Sequence, residues 1–224
     1  MLTPWIEDAA AKSLLTNWST EIDLDLVRLG TLAEADEIKD TANAQPLIVA
    51  AGLLGARALN TNKEFSFVAG HSVGEITAAA LAGVISEIDA MKLVRARGIE
   101  MAKAAAVAPA GMAAVLGGER EVVLRAIADL GLVAANDNGG GQIVAAGDLE
   151  ALSQLAPEGA RVRALAVAGA FHTSFMQPAV EPLRALAATL EVNEPNCGVI
   201  SNKDGAVVNN GREIIDRIVN QISN

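Results

Sequence analysis

The chain has 224 residues, enough for one large or two small domains with a sizeable core, and it is 51% hydrophobic but only 3% aromatic, with no tyrosine. A formal net charge of -10 with no basic stripe excludes a nucleic-acid binder, and no apolar run reaches the length of a membrane span. With one cysteine there is neither an internal disulfide nor a cysteine metal cluster; Cys197 reads as a small buried hydrophobe in a strand, and with no signal peptide in view the expected location is cytoplasmic, with no nucleic-acid or membrane partner.

In chain order, Thr3-Pro4 reads as an N-cap followed by proline in the first turn, predicting a helix over 4–18 that buries Trp5, Ile6, Ala9 and Leu14 or their neighbours. Residues 23–30 form a short amphipathic segment, and Thr31 with Glu34 has capping-box spacing for another helical turn. Gln45-Pro46 begins an apolar helix to about Leu59, broken by Asn60-Thr61-Asn62. A short strand is predicted over 64–69, then the turn Gly70-His71-Ser72-Val73-Gly74, then an alanine-rich helix over 75–83. Ser86 caps a helix over 87–106 that carries Arg95, Arg97 and Met101.

The style changes at Ala108-Pro109-Ala110-Gly111. Strands are predicted at 112–116, 133–135, 142–145 and 162–167, with helices at 119–130 and 149–155. This β-α-β-β-α-β order is the ferredoxin-like unit. Asn136 to Gly141, NDNGGG, is dense in residues that tolerate positive φ; it reads as a hairpin loop, with an anion cradle as the alternative. A helix over 177–190, a buried strand over 199–202 and a final helix over 212–222 complete the chain. The fold class is therefore α/β, with helices on a buried parallel sheet and a small inserted domain.

Strand, G-x-S-x-G turn and helix form the setting in which that pattern is a nucleophile elbow. Glycines let strand and helix pass closely, and the helix start brings free N–H groups to the serine oxygen. Serine needs a base, most often histidine. Only His71 and His172 exist. His71 adjoins Ser72, where consecutive side chains diverge, so His172 is the base by elimination; taken alone, it is equally a solvated or capping loop histidine. A guanidinium suits two-pronged binding of a carboxylate. From spacing alone, however, a surface salt bridge is the plainer reading of Arg97.

Gly70-His71-Ser72-Val73-Gly74-Glu75, the Arg97 helix (LVRARGIEMAKA), Gly111-Met112-Ala113-Ala114-Val115, Ala170-Phe171-His172 and the Gln45-Pro46 helix together resemble the malonyl-CoA:acyl-carrier-protein transacylase family, in order and spacing over essentially the whole chain. The resemblance implies an α/β-hydrolase-like large domain with a parallel sheet (1–107 and 168–224) and an inserted ferredoxin-like small domain (108–167). It implies Ser72 as acyl-accepting nucleophile, His172 as base, Arg97 as clamp on the free carboxylate of malonate, and Gln221 as the residue that orients the histidine. On sequence grounds alone Gln221 is equally an exposed helix-end residue. The backbone N–H of Val73 helps hold the oxyanion, and Phe171 matches a malonyl-type Ala-Phe-His signature whose ring excludes an α-methyl branch. The implied reaction is ping-pong transfer from malonyl-CoA to the phosphopantetheine thiol of acyl carrier protein. No cofactor or metal is expected, CoA and phosphopantetheine entering as parts of substrates, and the chain is expected to be a monomer or weak oligomer. Arg161, Arg163, Lys203 and Arg212 are candidates for the carrier-protein patch.

The family begins with a strand and a GQGSQ loop that contributes to the oxyanion hole, and it ends with a further strand and helix. This chain opens at Met1-Leu2-Thr3-Pro4 and stops at Asn224 without them. It is expected to be either a shortened form or a natural variant, weakly active or inactive, since losing one oxyanion donor costs roughly a hundred- to a thousand-fold in rate. Two further readings stand beside the transferase. One is a serine thioesterase or esterase on a similar core, in which Arg97 has no purpose. The other is a non-catalytic acyl-carrier-binding remnant.

Overall fold

In the computed structural model, which describes residues 1–59 and 65–223, the first α-helix starts after Asp8 rather than at Thr3. Thr3–Trp5 is a single 3-10 turn. The Asp8 carboxylate accepts the Ala11 N–H at 2.8 Å and caps α1 (Ala9–Glu21), whose buried face is Ala11, Leu15 and Trp18, whereas Trp5 and Ile6 are half-buried. Asp25 caps α2 (Leu26–Thr31) in the same way. The capping box predicted at Thr31 does not form: Thr31 ends α2 with its hydroxyl donating to the Val27 carbonyl, and α3 (Ala35–Lys39) follows Glu34 with no side-chain cap.

The next helix, α4 (Thr41–Ala58), begins ahead of the predicted Gln45-Pro46 start because Asp40 caps it through the Ala42 N–H. Pro46 therefore lies inside the helix, where its missing N–H leaves the Ala42 carbonyl without a helical donor. Arg95, from a later helix, fills the vacancy and donates to Ala42 O at 2.9 Å. Then come β1 (Phe67–Ala69), α5 (Gly74–Leu81) and α6 (Glu87–Ala105), whose Ser86 cap accepts the Asp89 N–H as expected. The predicted break at Asn60-Thr61-Asn62 and the strand start at Glu64 lie outside the described residues.

Next follow β2 (Ala110–Gly117), α7 (Arg120–Asp129), β3 (Val133–Asp137), β4 (Gln142–Asp148), α8 (Leu149–Gln154) and β5 (Ala160–Ala164). The chain continues with α9 (Gln177–Ala187), β6 (Gly198–Ile200), β7 (Val207–Val208) and α10 (Gly211–Asn220), with Gln221–Ser223 as a closing 3-10 turn. Cys197 is half-buried one residue ahead of β6 rather than inside a strand, and burial pushes its thiol up.

The chain divides into two compact units. The first comprises Met1–Glu100 and Glu181–Gln221. Its sheet has the order β1-β6-β7. Only β1 and β6 are parallel, with Ala69 opposite Ile200; the two-residue β7 adds antiparallel after a tight turn closed by the Ser201 N–H on the Ala206 carbonyl. The parallel sheet expected here is thus one parallel pair plus a return strand. Helix α5 packs on α4, β1 and α10.

The second unit comprises Met101–Val180 and Ile222–Asn224. Its sheet, β3-β4-β2-β5, is antiparallel throughout, the ferredoxin-like order. The two-residue period of β2 and β4 separates two apolar faces. Ala113, Val115, Ile143 and Ala145 pack with Val123, Ile127 and Leu152 of the helices, while Met112, Val144 and Ala146 pack with Ala170, Phe171 and Phe175. Of NDNGGG, Asn136 and Asp137 belong to β3 and residues 138–141 form the hairpin loop, with the Asn138 N–H on the Gln142 carbonyl and positive φ at Gly139, Gly140 and Gly141.

Candidate active site

Between β1 and α5 the chain reverses within four residues. Gly70 makes that possible: a Cβ there would lie 2.1 Å from the Gly74 carbonyl carbon and 2.3 Å from the Glu75 nitrogen. The second glycine of the motif has no such job, because a Cβ on Gly74 meets nothing within 4 Å and its φ is not positive. Ser72 carries the strain instead, with φ at 52°. A left-handed non-glycine residue costs roughly 1–2 kcal/mol and is expected at a nucleophile elbow. The Gly74 N–H on the His71 carbonyl and the Glu75 N–H on the Ser72 carbonyl close the turn into α5.

Ser72 is held from the neighbouring strand. Its backbone N–H donates to Asn202 Oδ1 at 2.7 Å, and Asn202 lies just past the end of β6, the parallel partner of β1. Both residues thus sit outside the carboxyl ends of two adjacent parallel strands, where open α/β sheets place their sites. The Asn202 N–H in turn donates to Glu75 Oε1 at 2.6 Å.

Arg97 comes from α6 and is 1% exposed, so the expectation of a surface salt bridge is corrected. One terminal nitrogen donates to Gln45 Oε1; the other donates to Gln221 Oε1 at 3.0 Å and reaches Ser72 Oγ at 3.4 Å. Gln45 is oriented by donating its own amide to Thr41 Oγ1 at 2.8 Å, which leaves its oxygen for the guanidinium. Burial lowers the Arg97 pKa to about 10, opposed by the nearby Glu75 charge, so the group stays a cation at neutral pH. Its Nε–H is buried with no acceptor among the described residues. Gln221, at the end of α10, also donates Nε2–H to Glu75 Oε2. Burial raises the Glu75 pKa, and the Asn202 N–H and the charges of Arg97 and Arg217 oppose the rise.

In the second unit His172 is 8% exposed, in the loop after β5, with φ at 59° and its N–H on the Ile222 carbonyl. The next residue, Thr173, stabilises the loop by donating its hydroxyl to the Ala170 carbonyl at 2.6 Å. Among the described residues no group of acidic, histidine and cysteine side chains has a metal-binding arrangement, and no helix is long and apolar enough to cross a membrane.

The acyl transferase domain model matches residues 18–219. The chain belongs to the acyl transferase family. The family's curated members include the malonyl CoA-acyl carrier protein transacylase of Mycobacterium tuberculosis, 51% identical over 231 residues that cover 100% of this chain and 76% of that protein. The crystal structure of MCAT from the same organism superposes with a TM-score of 0.94 at 50% identity, covering 99% of this chain and 76% of the other. A third match, at 27% identity and a TM-score of 0.90, is to PlMCAT in the complex PlMCAT:AntF, a type II PKS acyl-carrier protein with its malonyl-transacylase; it covers 100% of this chain and 76% of that one.

Within this acyl transferase chain the first unit brings together Ser72, Arg97 and Gln221, three of the residues singled out from sequence, with Val73 next to the serine. Gln221 is half-buried and bonded at both ends of its amide rather than exposed at a helix end. His172 and Phe171 belong to the second unit; Phe171 is half-buried and packs against the Met112 and Val144 face of its sheet. Sequence reasoning missed Glu75, Asn202 and Gln45. Glu75 and Gln45 lay inside quoted motifs without a role, and Asn202 was read only as the last residue of a predicted buried strand, whereas β6 ends at Ile200 and leaves it in the following loop. The four carrier-patch candidates, Arg161, Arg163, Lys203 and Arg212, are all exposed, and Arg212 uses one N–H on the Ala187 carbonyl.

Proposed function

We propose that this acyltransferase moves a malonyl group from malonyl-CoA to the phosphopantetheine thiol of acyl carrier protein through a malonyl ester on Ser72. Ser72 Oγ attacks the thioester carbonyl and His172 takes its proton. The Val73 N–H, at the start of α5, holds the oxyanion as it forms. The C–S bond then breaks and CoA leaves as a thiol with the proton that His172 returns. The carrier thiol runs the same steps backwards. No cofactor enters, since CoA and phosphopantetheine are parts of the two substrates.

The observation that carries this reading is the Arg97 guanidinium, 1% exposed and 3.4 Å from Ser72 Oγ, with one buried N–H lacking an acceptor among the described residues. A buried cation beside a nucleophile favours an acyl group that ends in a carboxylate, because a neutral acyl chain leaves the cation unpaired. Phe171, by its bulk, disfavours an α-methyl branch.

Incubation with malonyl-CoA followed by intact-protein mass measurement tests the proposal. A malonyl adduct that is absent in Ser72→Ala, and is discharged by holo carrier protein faster than by water, supports it. Faster discharge by water would make the chain a thioesterase. Absence of any adduct would leave a carrier-binding protein without transfer chemistry.

A further inference from the structure

The mechanism above uses no carboxylate, yet one is buried beside the elbow. Glu75, the second residue of α5, is 5% exposed. Oε1 accepts the Asn202 N–H and Oε2 accepts the Gln221 amide. Placing an ionised carboxylate out of water is costly unless its partners are well made. Besides those two hydrogen bonds, the charges acting on it are Arg97 and Arg217, which favour the ionised form, and Asp204, which opposes it.

The direction of the hydrogen bonds is informative. A guanidinium only donates and an ionised carboxylate only accepts, whereas the Gln221 amide has one end of each kind. Set between Arg97 and Glu75, that amide has a single orientation that satisfies both, oxygen toward the arginine and nitrogen toward the glutamate. This is the orientation observed. A second arm leaves the same carboxylate: Glu75 holds the Asn202 N–H, and Asn202 Oδ1 holds the Ser72 N–H. Both arms end on groups assigned to the chemistry.

We infer that Glu75 is a positioning residue, acting through Gln221 on the Arg97 guanidinium and through Asn202 on the Ser72 backbone. The inference rests on the reading of Ser72 as nucleophile and Arg97 as carboxylate clamp. In Glu75→Gln the new amide presents a donor where an acceptor stood. With the Asn202 N–H kept, the Gln221 side chain must turn over, and its nitrogen then faces Arg97, donor against donor. Malonyl transfer needs Arg97 in register, whereas acetyl transfer needs only the elbow. The paired exchange Glu75→Gln with Gln221→Glu returns an acceptor to Arg97 and remakes the link between positions 75 and 221 with its direction reversed, while the 3.4 Å contact from the Gln221 amide to Asn202 Oδ1 is lost. It also sets a negative charge directly on the clamp, where it competes with a malonyl carboxylate.

The test measures kcat and KM for malonyl-CoA and acetyl-CoA with holo carrier protein, alongside thermal melting and the Ser72 adduct in wild type. Glu75→Gln is expected to lower malonyl kcat/KM by roughly 10- to 100-fold, the scale of a misplaced catalytic group, and acetyl transfer by clearly less. The paired exchange is expected to recover acetyl transfer and melting temperature but not malonyl transfer. Equal losses for the two substrates in folded Glu75→Gln, or no loss, would overturn the inference. If the single variant does not fold, recovery of melting temperature and acetyl transfer in the paired exchange supports the inference, and failure of both variants to fold makes Glu75 merely structural and overturns it. No adduct on wild-type Ser72 would overturn the underlying reading and this inference with it; an adduct with an unchanged substrate ratio would overturn this inference alone.

Discussion

Arg97→Met keeps most of the buried stem of the side chain and removes the guanidinium. On the folding side two terms oppose each other. Gln45 Oε1 and Gln221 Oε1 lose their donor, at about 1–3 kcal/mol each if neither side chain turns. Against that, a cation whose pKa burial lowers from 12.5 to about 10 is no longer buried, a relief of roughly 3 kcal/mol. The net change lies within about 3 kcal/mol, so the variant stays folded. On the catalytic side nothing offsets the loss. Two charge-assisted hydrogen bonds to the malonyl carboxylate, at about 1.5–3 kcal/mol each, correspond to roughly 10²- to 10⁴-fold in kcat/KM. Transfer to holo carrier protein, followed by mass measurement with malonyl-CoA and acetyl-CoA in parallel, reads both numbers. Malonyl transfer should collapse while acetyl transfer holds or improves. If both substrates lose the same factor while the melting temperature is kept, Arg97 supports the elbow and does not bind the carboxylate.

The two motif glycines should separate cleanly by circular dichroism melting. Gly70→Ala drives a Cβ into backbone and should cost more than about 3 kcal/mol or prevent folding, whereas Gly74→Ala should change stability by under about 1 kcal/mol, on the stabilising side. Because Arg95 supplies the donor that Pro46 lacks, Arg95→Ala should cost about 1–3 kcal/mol in a denaturant titration, and much less in a Pro46→Ala background, where the new N–H serves Ala42 O. Ser72→Gly should be more stable than Ser72→Ala by about 1 kcal/mol, since only glycine takes the 52° φ without strain. Burial holds the folded pKa of Glu75 above the ordinary carboxylate range, so its contribution to stability is present below that range and is lost as pH rises through the raised value. The melting-temperature difference between wild type and Glu75→Gln should therefore move against wild type across that window, and a constant difference would contradict the assignment.

Much of the architecture was legible in the chain because it rests on short-range effects. The β-α-β-β-α-β order from Ala110 onward follows from period-two alternation and turn residues such as Asn138 and Gly139, and the Ser86 cap of α6 is a contact three residues long. The first third read less well. Thr3-Pro4 and Thr31 looked like helix starts, but aspartates Asp8, Asp25 and Asp40 made the caps. Pro46 reads as a beginning but is an interior residue, tolerated because Arg95 reaches the Ala42 carbonyl from 53 positions away.

For the site, the order of residues alone marked Ser72 as the candidate nucleophile, because strand, G-x-S-x-G turn and helix start all lie within one short window. The amino-acid order also narrowed the candidate base to one of two histidines. It did not say that Arg97, among the arginines of its helix, was the buried one, or that Gln45, Gln221, Glu75 and Asn202 would converge with it on the elbow. Those five residues are spread over more than 150 positions, with 146 separating Glu75 from Gln221. Whether a charge is buried, and which way an amide turns, depends on every group packed around it, and only the folded chain brings those groups together.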